Sequence, residues 1–545
     1  MVLPGERARR FDVAGLFAIV LPLVALRVYC ASTLAANSDE TQHLHVVWAW
    51  TRGLVPYRDV FDNHAPLFDL VFAPLLAVLG ERADVVAVMR LAMIPLYFAA
   101  LWLTWYIGRT LWSERTGFLA AAIAATAPIF YVVSVQFRPD DLWMLLWLAA
   151  AAVAVSKLRY KTAWAGALVG AAFAVSLKSM LLLAAAALAW LALAAIDRRG
   201  TAFAISKRRL IVVALAAAIV PGAFAVGFAS VGAWHALVYC LFVHNVVPGL
   251  GHWDGSALRL LFPLFGGPLA IAWTAWTKPR VTDERWRMRS QLLLSSVFYL
   301  LLLYGCWPLV THQDLLPVIP LLAIGVAAAL APDDGHRRGW TRILLTVAVV
   351  VANALTLVTL TLPRHNELRD QENELARVLQ LTRAGDTVMD AKGASVFRER
   401  ASYWVLEDIT EERMRDGSIA DDISDRLAAT GTPLVIEDRL PSRDAAFVAE
   451  NYVSAGGLIR VAGKSLGMGK AGQPLAFDIG VPAQYRMIGP AQRLAGQLDG
   501  TPLEGPRRLG AGRHIFVPAA DSELALVWAP ALERGLDPRG FFAVR

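Results

Sequence analysis

Only three cysteines, Cys30, Cys240 and Cys306, occur in 545 residues. They lie in or beside apolar stretches without Cys-x-x-Cys spacing, which points to inert buried thiols and implies neither a disulfide framework nor a zinc site. Charge is also scarce: Asp, Glu, Lys and Arg make up 18% of the chain, where a soluble globular protein carries about 25%. No P-loop, dinucleotide-binding fingerprint, nucleophile elbow or His-Glu-x-x-His motif stands in a supporting context. Any driving energy must therefore arrive with the substrate.

Apolar surface is abundant instead. The chain is 57% hydrophobic with a mean hydropathy of +0.48. Runs of roughly 18 or more apolar residues recur through its first two thirds, which reads as a polytopic α-helical membrane protein. About eleven spans are expected, near 13–33, 86–108, 117–136, 141–156, 162–177, 179–196, 210–231, 257–276, 291–308, 315–331 and 342–362. With the N-terminus inside as an uncleaved first span, Arg7, Arg9, Arg10, Arg109, Arg115, Lys157, Arg159, Lys161, Arg198, Arg199, the Lys207–Arg209 run, Lys278, Arg280, Arg285, Arg287, Arg289, Arg337, Arg338 and Arg342 face the cytoplasm. The outer side keeps Arg52, Arg58, Arg82, Arg138 and Lys178, with Arg27 and Arg90 near span ends. That asymmetry is the positive-inside bias, so the net charge of +7 belongs to membrane topology rather than to nucleic acid.

Pro66 to Gly80 is apolar but short, holds Asp69 and is interrupted by Pro74. It is read as a helix at the outer surface, because a segment of that length seldom spans a bilayer. Residues 34–85 then form one long first outer loop with interfacial helices, inside a membrane domain of residues 1–363. After Arg364 charged residues become frequent and no further span appears. β-rich runs at Thr387–Met389 and Pro433–Ile436 alternate with helical stretches at Glu411–Arg415 and Ile419–Ala429, and strand and turn dominate past residue 454. Residues 364–545 are expected to be a soluble α/β or β-rich domain on the extracytoplasmic side, long enough to bury its own core.

Polar residues with chemical reach gather where the spans meet the outer face. Asp39 and Glu40 follow the first span. One of these carboxylates suits a general base, and equally Ser38 or Asp39 suits a helix N-cap. Asp39 and His43, four residues apart, share a helical face, but His43 and His45 point apart and no third metal ligand stands at recognisable spacing. No cofactor or divalent metal is assigned. His64 precedes Pro66 at a helix start, where it suits either an anionic phosphate or interfacial anchoring. Arg138 brings a phosphate-binding fork beside Asp140 and Asp141, and Pro139 with the two acids also fits the first turn of a helix. Lys178 breaks an apolar run at an outer turn, as a snorkelling side chain or a cation for a lipid phosphate. His235, His244, Asn245, His252 and Asp254 lie among Trp234 and Trp253 in a later outer loop. Thr311-His312-Gln313-Asp314 makes a further polar turn on the same side.

The order of these residues carries a resemblance. A first span is followed by Asp39-Glu40, by Gly53-Leu54-Val55-Pro56-Tyr57-Arg58-Asp59 and by Asn63-His64-Ala65-Pro66-Leu67. Arg138-Pro139-Asp140, Lys178 and His312-Gln313-Asp314-Leu315-Leu316-Pro317 come after. Over roughly residues 10–330 the chain resembles the GT-C superfamily of membrane glycosyltransferases, in particular the bacterial branch akin to dolichyl-phosphate-mannose protein mannosyltransferases and the lipid A aminoarabinose transferase. The resemblance implies an enzyme of the bacterial cytoplasmic (inner) membrane that moves a sugar, with inversion, from a polyprenyl-phosphate donor to a glycan, lipid or protein acceptor on the outer face. Asp39 would be the base and Asp140 the second acid, with Asp141 as its alternate. His64, Lys178 and His312 would be phosphate or substrate contacts, although His64 stands in His-Ala-Pro-Leu where related enzymes show Lys or His before Pro-Pro-Leu. A lipid or solute transporter or flippase is the rival class. Its polar groups are expected near the bilayer midplane and its halves to repeat, whereas here they gather at one face. A non-catalytic assembly protein with a glycan-binding tail is a third.

Overall fold

The computed structural model describes residues 20–196, 206–247, 250–251, 283–330, 340–490 and 494–542. The expected span at 257–276, the inner cations Arg7, Arg9, Arg10, Arg198, Arg199, Lys278, Arg280, Arg337 and Arg338, and His252, Trp253 and Asp254 lie outside the described residues. The chain divides into two compact units. One takes the residues up to Leu34, Asn63–Phe72 and Val86–Glu367; the other takes Ala35–Asp62, Ala73–Val85 and everything from Leu368 onward. The last stretch of the second unit begins at Leu368. Most of residues 34–85 falls in the second unit rather than in the first.

The membrane unit is helical where the apolar runs predicted helices. Val20–Thr33 and Val85–Leu111 are followed by Pro139–Val155, Lys161–Val175, Ser179–Ile196 and Lys207–Ser230. Glu284–Cys306, Ile319–Leu330 and Trp340–Thr356 come last. The run expected at 117–136 is broken into Glu114–Thr126 and Pro128–Val133. Pro128 has no N–H and biases Ala127 to an extended conformation, so the first helix ends there. Among the described residues, Val85–Leu111, Lys207–Ser230 and Glu284–Cys306 are each long and apolar enough to cross a bilayer alone. The total of about eleven spans stays an expectation from the sequence.

Small residues set how closely these helices approach. Gly166 and Gly170 form a Gly-x-x-x-Gly face on Lys161–Val175 that lies against Lys207–Ser230. A Cβ at Gly170 would fall 2.1 Å from the Ala217 carbonyl oxygen, and one at Gly166 would fall 2.6 Å from that of Val213. Backbone-to-backbone contact of this kind stands in for the hydrophobic drive that lipid does not supply.

The second unit is α/β at its start and β-rich at its end. Val388–Met389 pairs in parallel with Leu434–Ile436, which pairs antiparallel with Ile459–Gly469. The sheet continues through Ser522–Trp528 and Ala483–Ile488 to Arg507–Leu509, all antiparallel. A second sheet orders Leu475–Ile479, Gly512–Pro518, Gly496–Leu498 and Thr501–Pro502. Helices Arg369–Leu381, Asp408–Arg415, Ile423–Thr430 and Ser442–Asn451 interleave with the early strands. Val388, Met389, Leu434, Val435 and Val461 are fully buried at the centre of its core. The continuous apolar runs read from the sequence are thus fully buried strands, although Val388–Met389 stands at the end of the sheet order.

Candidate functional site

In the first unit several of the acid and cation motifs meet. Arg138 sits in extended backbone ahead of Pro139, which opens the helix Pro139–Val155 and leaves Asp140 and Asp141 in its first turn. The sequence predicted this start, since Pro is pre-organised for a first helical position and acids suit the positive end of the dipole. Arg138 Nε lies 3.2 Å from Asp140 Oδ2, both side chains nearly buried. One turn on, Trp143 Nε1 donates to Ser179 Oγ at 2.8 Å, which ties this helix to the residue beside Lys178. The Lys178 ammonium is paired with Asp314, whose side chain is fully buried, and it feels the charge of Asp140 as well. It also lies 5.8 Å from the centre of the Trp307 ring.

Asp314 is the residue the sequence reading passed over. Its carboxylate accepts from Thr311 N at 2.9 Å and Thr311 Oγ1 at 3.2 Å, and its carbonyl accepts from the Tyr299 hydroxyl at 2.8 Å. His312, singled out at the same turn, is solvent-exposed. Thr311-x-x-Asp314 has the spacing of a reciprocal cap, and that pattern was the available signal.

Asp141 parts company with its neighbour. It is buried, and neither carboxylate oxygen has a hydrogen-bond partner among the described residues. The Arg27 charge acts on it. Arg27 donates to Tyr131 O at 3.2 Å and Ser134 Oγ at 3.1 Å and lies 3.9 Å over the Tyr97 ring. Asp141 is therefore buried apart from the ion pair with Arg138 that Asp140 makes. His64 is half-buried in the loop ahead of Leu67–Leu79. That loop is held by Asn63, whose carbonyl accepts from Asn245 Nδ2 at 2.9 Å.

The second unit contains the other acid pair. Ser38–Thr51 is an α-helix capped by Asn37, whose side chain accepts from Asp39 N at 2.9 Å, while the Glu40 carboxylate accepts from Asn37 N at 2.9 Å. Asn37, rather than Ser38 or Asp39, is the N-cap. Glu40 is fully buried in this capping box, so the two acids have different work. Asp39 keeps about a quarter of its side chain exposed, at 23%, and is ion-paired with Lys392. Lys392 also reaches Glu407 Oε2 at 3.4 Å.

The Lys392 loop is rigidly built. The buried Asp390 carboxylate accepts from Gly393 N at 2.6 Å, Ser395 N at 2.9 Å, Ser395 Oγ at 2.6 Å and Arg400 Nε at 2.8 Å. Burial works to raise the Asp390 carboxyl, but the Arg400 charge and the Ser395 hydrogen bonds outweigh it and hold the group below the usual carboxylate range. Arg400 further donates to the carbonyls of Asp390 at 2.6 Å and Trp404 at 3.0 Å. Tyr403 O–H donates to the Tyr57 carbonyl, which brings the Gly53–Asp59 motif to this loop.

His45, weighed as a metal ligand, instead takes a structural place. Its Nδ1 contacts Val396 O at 2.9 Å and its ring stacks on Trp48. Among the described residues no group of three His, Cys, Asp or Glu side chains is arranged to hold a metal ion. Burial pushes the imidazole down to about 4, with Arg400 adding to the effect and Asp390 opposing it. The ring is thus neutral near pH 7, and Nδ1–H donates to Val396. Because the folded pKa lies below the unfolded value, the associated stability is complete above the unfolded pKa of about 6.5 and is lost as pH falls toward 4, a contribution of about 3 kcal/mol. His45→Gln is expected to flatten the dependence of thermal unfolding on pH between 6.5 and 4 relative to wild type. Parallel slopes in the two proteins would show that His45 gains no proton on unfolding.

Residues 63–224 match the family model described as dolichyl-phosphate-mannose-protein mannosyltransferase. The crystal structure of ArnT from Cupriavidus metallidurans in the apo state is similar at a TM-score of 0.55 and 14% identity, covering 83% of this chain and 98% of that one. ArnT from the same organism bound to undecaprenyl phosphate aligns at 0.47 and 16% identity, over 67% of this chain and 69% of that one. Archaeal oligosaccharyltransferase AglB from Archaeoglobus fulgidus, in complex with an inhibitory peptide and a dolichol-phosphate, aligns at 0.46 and 10% identity, over 76% and 69%. No curated protein matches the sequence. The fold is shared with ArnT, and residues 63–224 are similar to the dolichyl-phosphate-mannose-protein mannosyltransferase family.

Proposed function

We propose that this chain is a glycosyltransferase that moves a sugar from a polyprenyl-phosphate donor to an acceptor hydroxyl on the outer face of the cytoplasmic membrane, with inversion. The observation that carries the proposal is the family match over residues 63–224. That stretch contains His64, Arg138, Asp140 and Lys178, and a polyprenyl-phosphate sugar supplies the activated leaving group that the missing nucleotide motifs demand.

Asp39 takes the proton of the acceptor hydroxyl, whose oxygen forms a bond to the anomeric carbon from the face opposite the phosphate. The bond from that carbon to the phosphate oxygen breaks, and the electron pair leaves with the lipid phosphate. Arg138 and Lys178 stabilise the departing charge, an electrostatic contribution often larger than any other in such transfers. At rest each cation faces a carboxylate, Arg138 on Asp140 and Lys178 on Asp314. A donor phosphate therefore binds by exchange, taking a cation from its acid. His64, with His312 at the Asp314 turn, adds donor contacts.

The test is direct. The purified chain in proteoliposomes, given polyprenyl-phosphate sugars and a lipid or glycan acceptor, is expected to release polyprenyl phosphate with neither nucleotide sugar nor ATP present. Dependence on a nucleotide sugar overturns the proposal. So does a deletion strain whose surface glycans and glycolipids match wild type by mass spectrometry.

A further inference from the structure

Lys392 lies 353 residues from Asp39 in sequence and pairs with it in space. Its side chain is only 9% exposed, and it stands between two carboxylates, Asp39 and Glu407. Its backbone is fixed too. Thr41 Oγ1 donates to Lys392 O at 3.1 Å, and the next residue, Gly393, adopts a φ of +78° that L side chains seldom take. A Cβ at Gly393 would fall 2.9 Å from Thr41 O and 3.0 Å from His45 Cβ, so only glycine lets this loop lie flat on the helix that carries Asp39.

We propose that Lys392 is a positioning residue for the transfer reaction: it orients the Asp39 carboxylate and keeps it ionised, and Glu407 takes over the lysine charge when Asp39 receives the acceptor proton. The inference rests on the reading of Asp39 as the base. A nearly buried ammonium with a single carboxylate would resist protonation of that carboxylate, since the product would leave an unbalanced charge in a poorly solvated place. Glu407 removes the objection. In the step, the acceptor O–H bond breaks, its proton goes to an Asp39 oxygen, and Lys392 retains all its protons while its attraction passes to Glu407. Asp39 then returns the proton to water through its exposed edge. The C-terminal domain on this account completes the base rather than only receiving the acceptor.

Charged and titratable groups on the elements packed here are Glu40, His43 and His45 on the Asp39 helix, Asp390, Lys392, Arg398, Glu399, Arg400 and Tyr403 on the loop, and Glu407 ahead of Asp408–Arg415. Removing the cation therefore acts chiefly on Asp39 and Glu407. An adjacent cation lowers a carboxylate pKa by about one to three units. In Lys392→Met the acid limb of the kcat/KM profile is expected to move up by about that amount, with kcat reduced and donor KM little changed. Lys392→Arg is expected to restore the limb, and it serves if the methionine variant folds poorly. Glu407→Gln is expected to move the limb down, and the double variant Lys392→Met with Glu407→Gln to be less impaired than the two single effects combined. An acid limb identical to wild type in Lys392→Met, with Asp39→Asn inactive, overturns the role of Lys392 alone. Full activity in Asp39→Asn overturns the assignment of the base instead.

Discussion

Asp39→Asn is expected to lower sugar transfer by about 10²–10⁴-fold, the usual worth of a positioned general base, with the protein still folded and membrane-inserted. Folding survives because Lys392 keeps Glu407 as a partner when the Asp39 charge is removed, so no buried ammonium is left alone. Glu40→Gln is the informative companion. Glu40 accepts the Asn37 N–H within the capping box, and a glutamine oxygen does the same. Activity within a few-fold of wild type is expected there, while Glu40→Ala should cost about 1 kcal/mol of stability. Equal loss of turnover in Asp39→Asn and Glu40→Gln, at equal thermal stability, would deny Asp39 its special place. The measurement is release of polyprenyl phosphate in proteoliposomes alongside thermal unfolding of each variant.

The second large effect is on stability. Asp390→Ala is expected to destabilise the C-terminal unit by about 3–5 kcal/mol, because it strands a buried guanidinium. The Arg400 and Asp390 side chains are 4% and 0% exposed, and the same carboxylate also organises the turn that carries Lys392. A fitting control is Arg426→Ala. Its pair with Asp422 is 50% and 35% exposed, and loss of such a pair should cost less than about 1 kcal/mol. Should the two variants melt together, the Asp390 network would not be what holds the loop. Activity should fall as well in Asp390→Ala below its melting point, since the turn positions Lys392.

Local chemistry made much of this legible in advance. Pro139 and its two acids announced a helix start, the β-rich runs at 387–389 and 433–436 announced strands, and Lys178 stood out against its apolar surroundings. What sequence could not give was pairing at a distance. The resemblance named Asp39 as the base, but only the structure shows that the cap at Asn37 engages Glu40. Lys392 looked like any lysine in a polar tail, because no period or motif links positions so far apart. His312 drew attention as a histidine, yet the buried ion pair uses Asp314, two residues on, for which burial and not residue type was the deciding property. The close approach at Gly166 and Gly170, and the helix they meet, came only with the structure.

The unit that holds Asp39 is assembled from three separate stretches of chain, the last of which begins at Leu368. A ribosome therefore delivers Ser38–Thr51 long before the Lys392 turn. At about 5–20 residues per second the wait is roughly 20–70 seconds. Throughout that interval the nascent helix shows water or lipid the faces of Glu40, His43 and His45 that later become buried. A chain cut short near Arg364 would therefore leave an early-made helix without the segment that covers it.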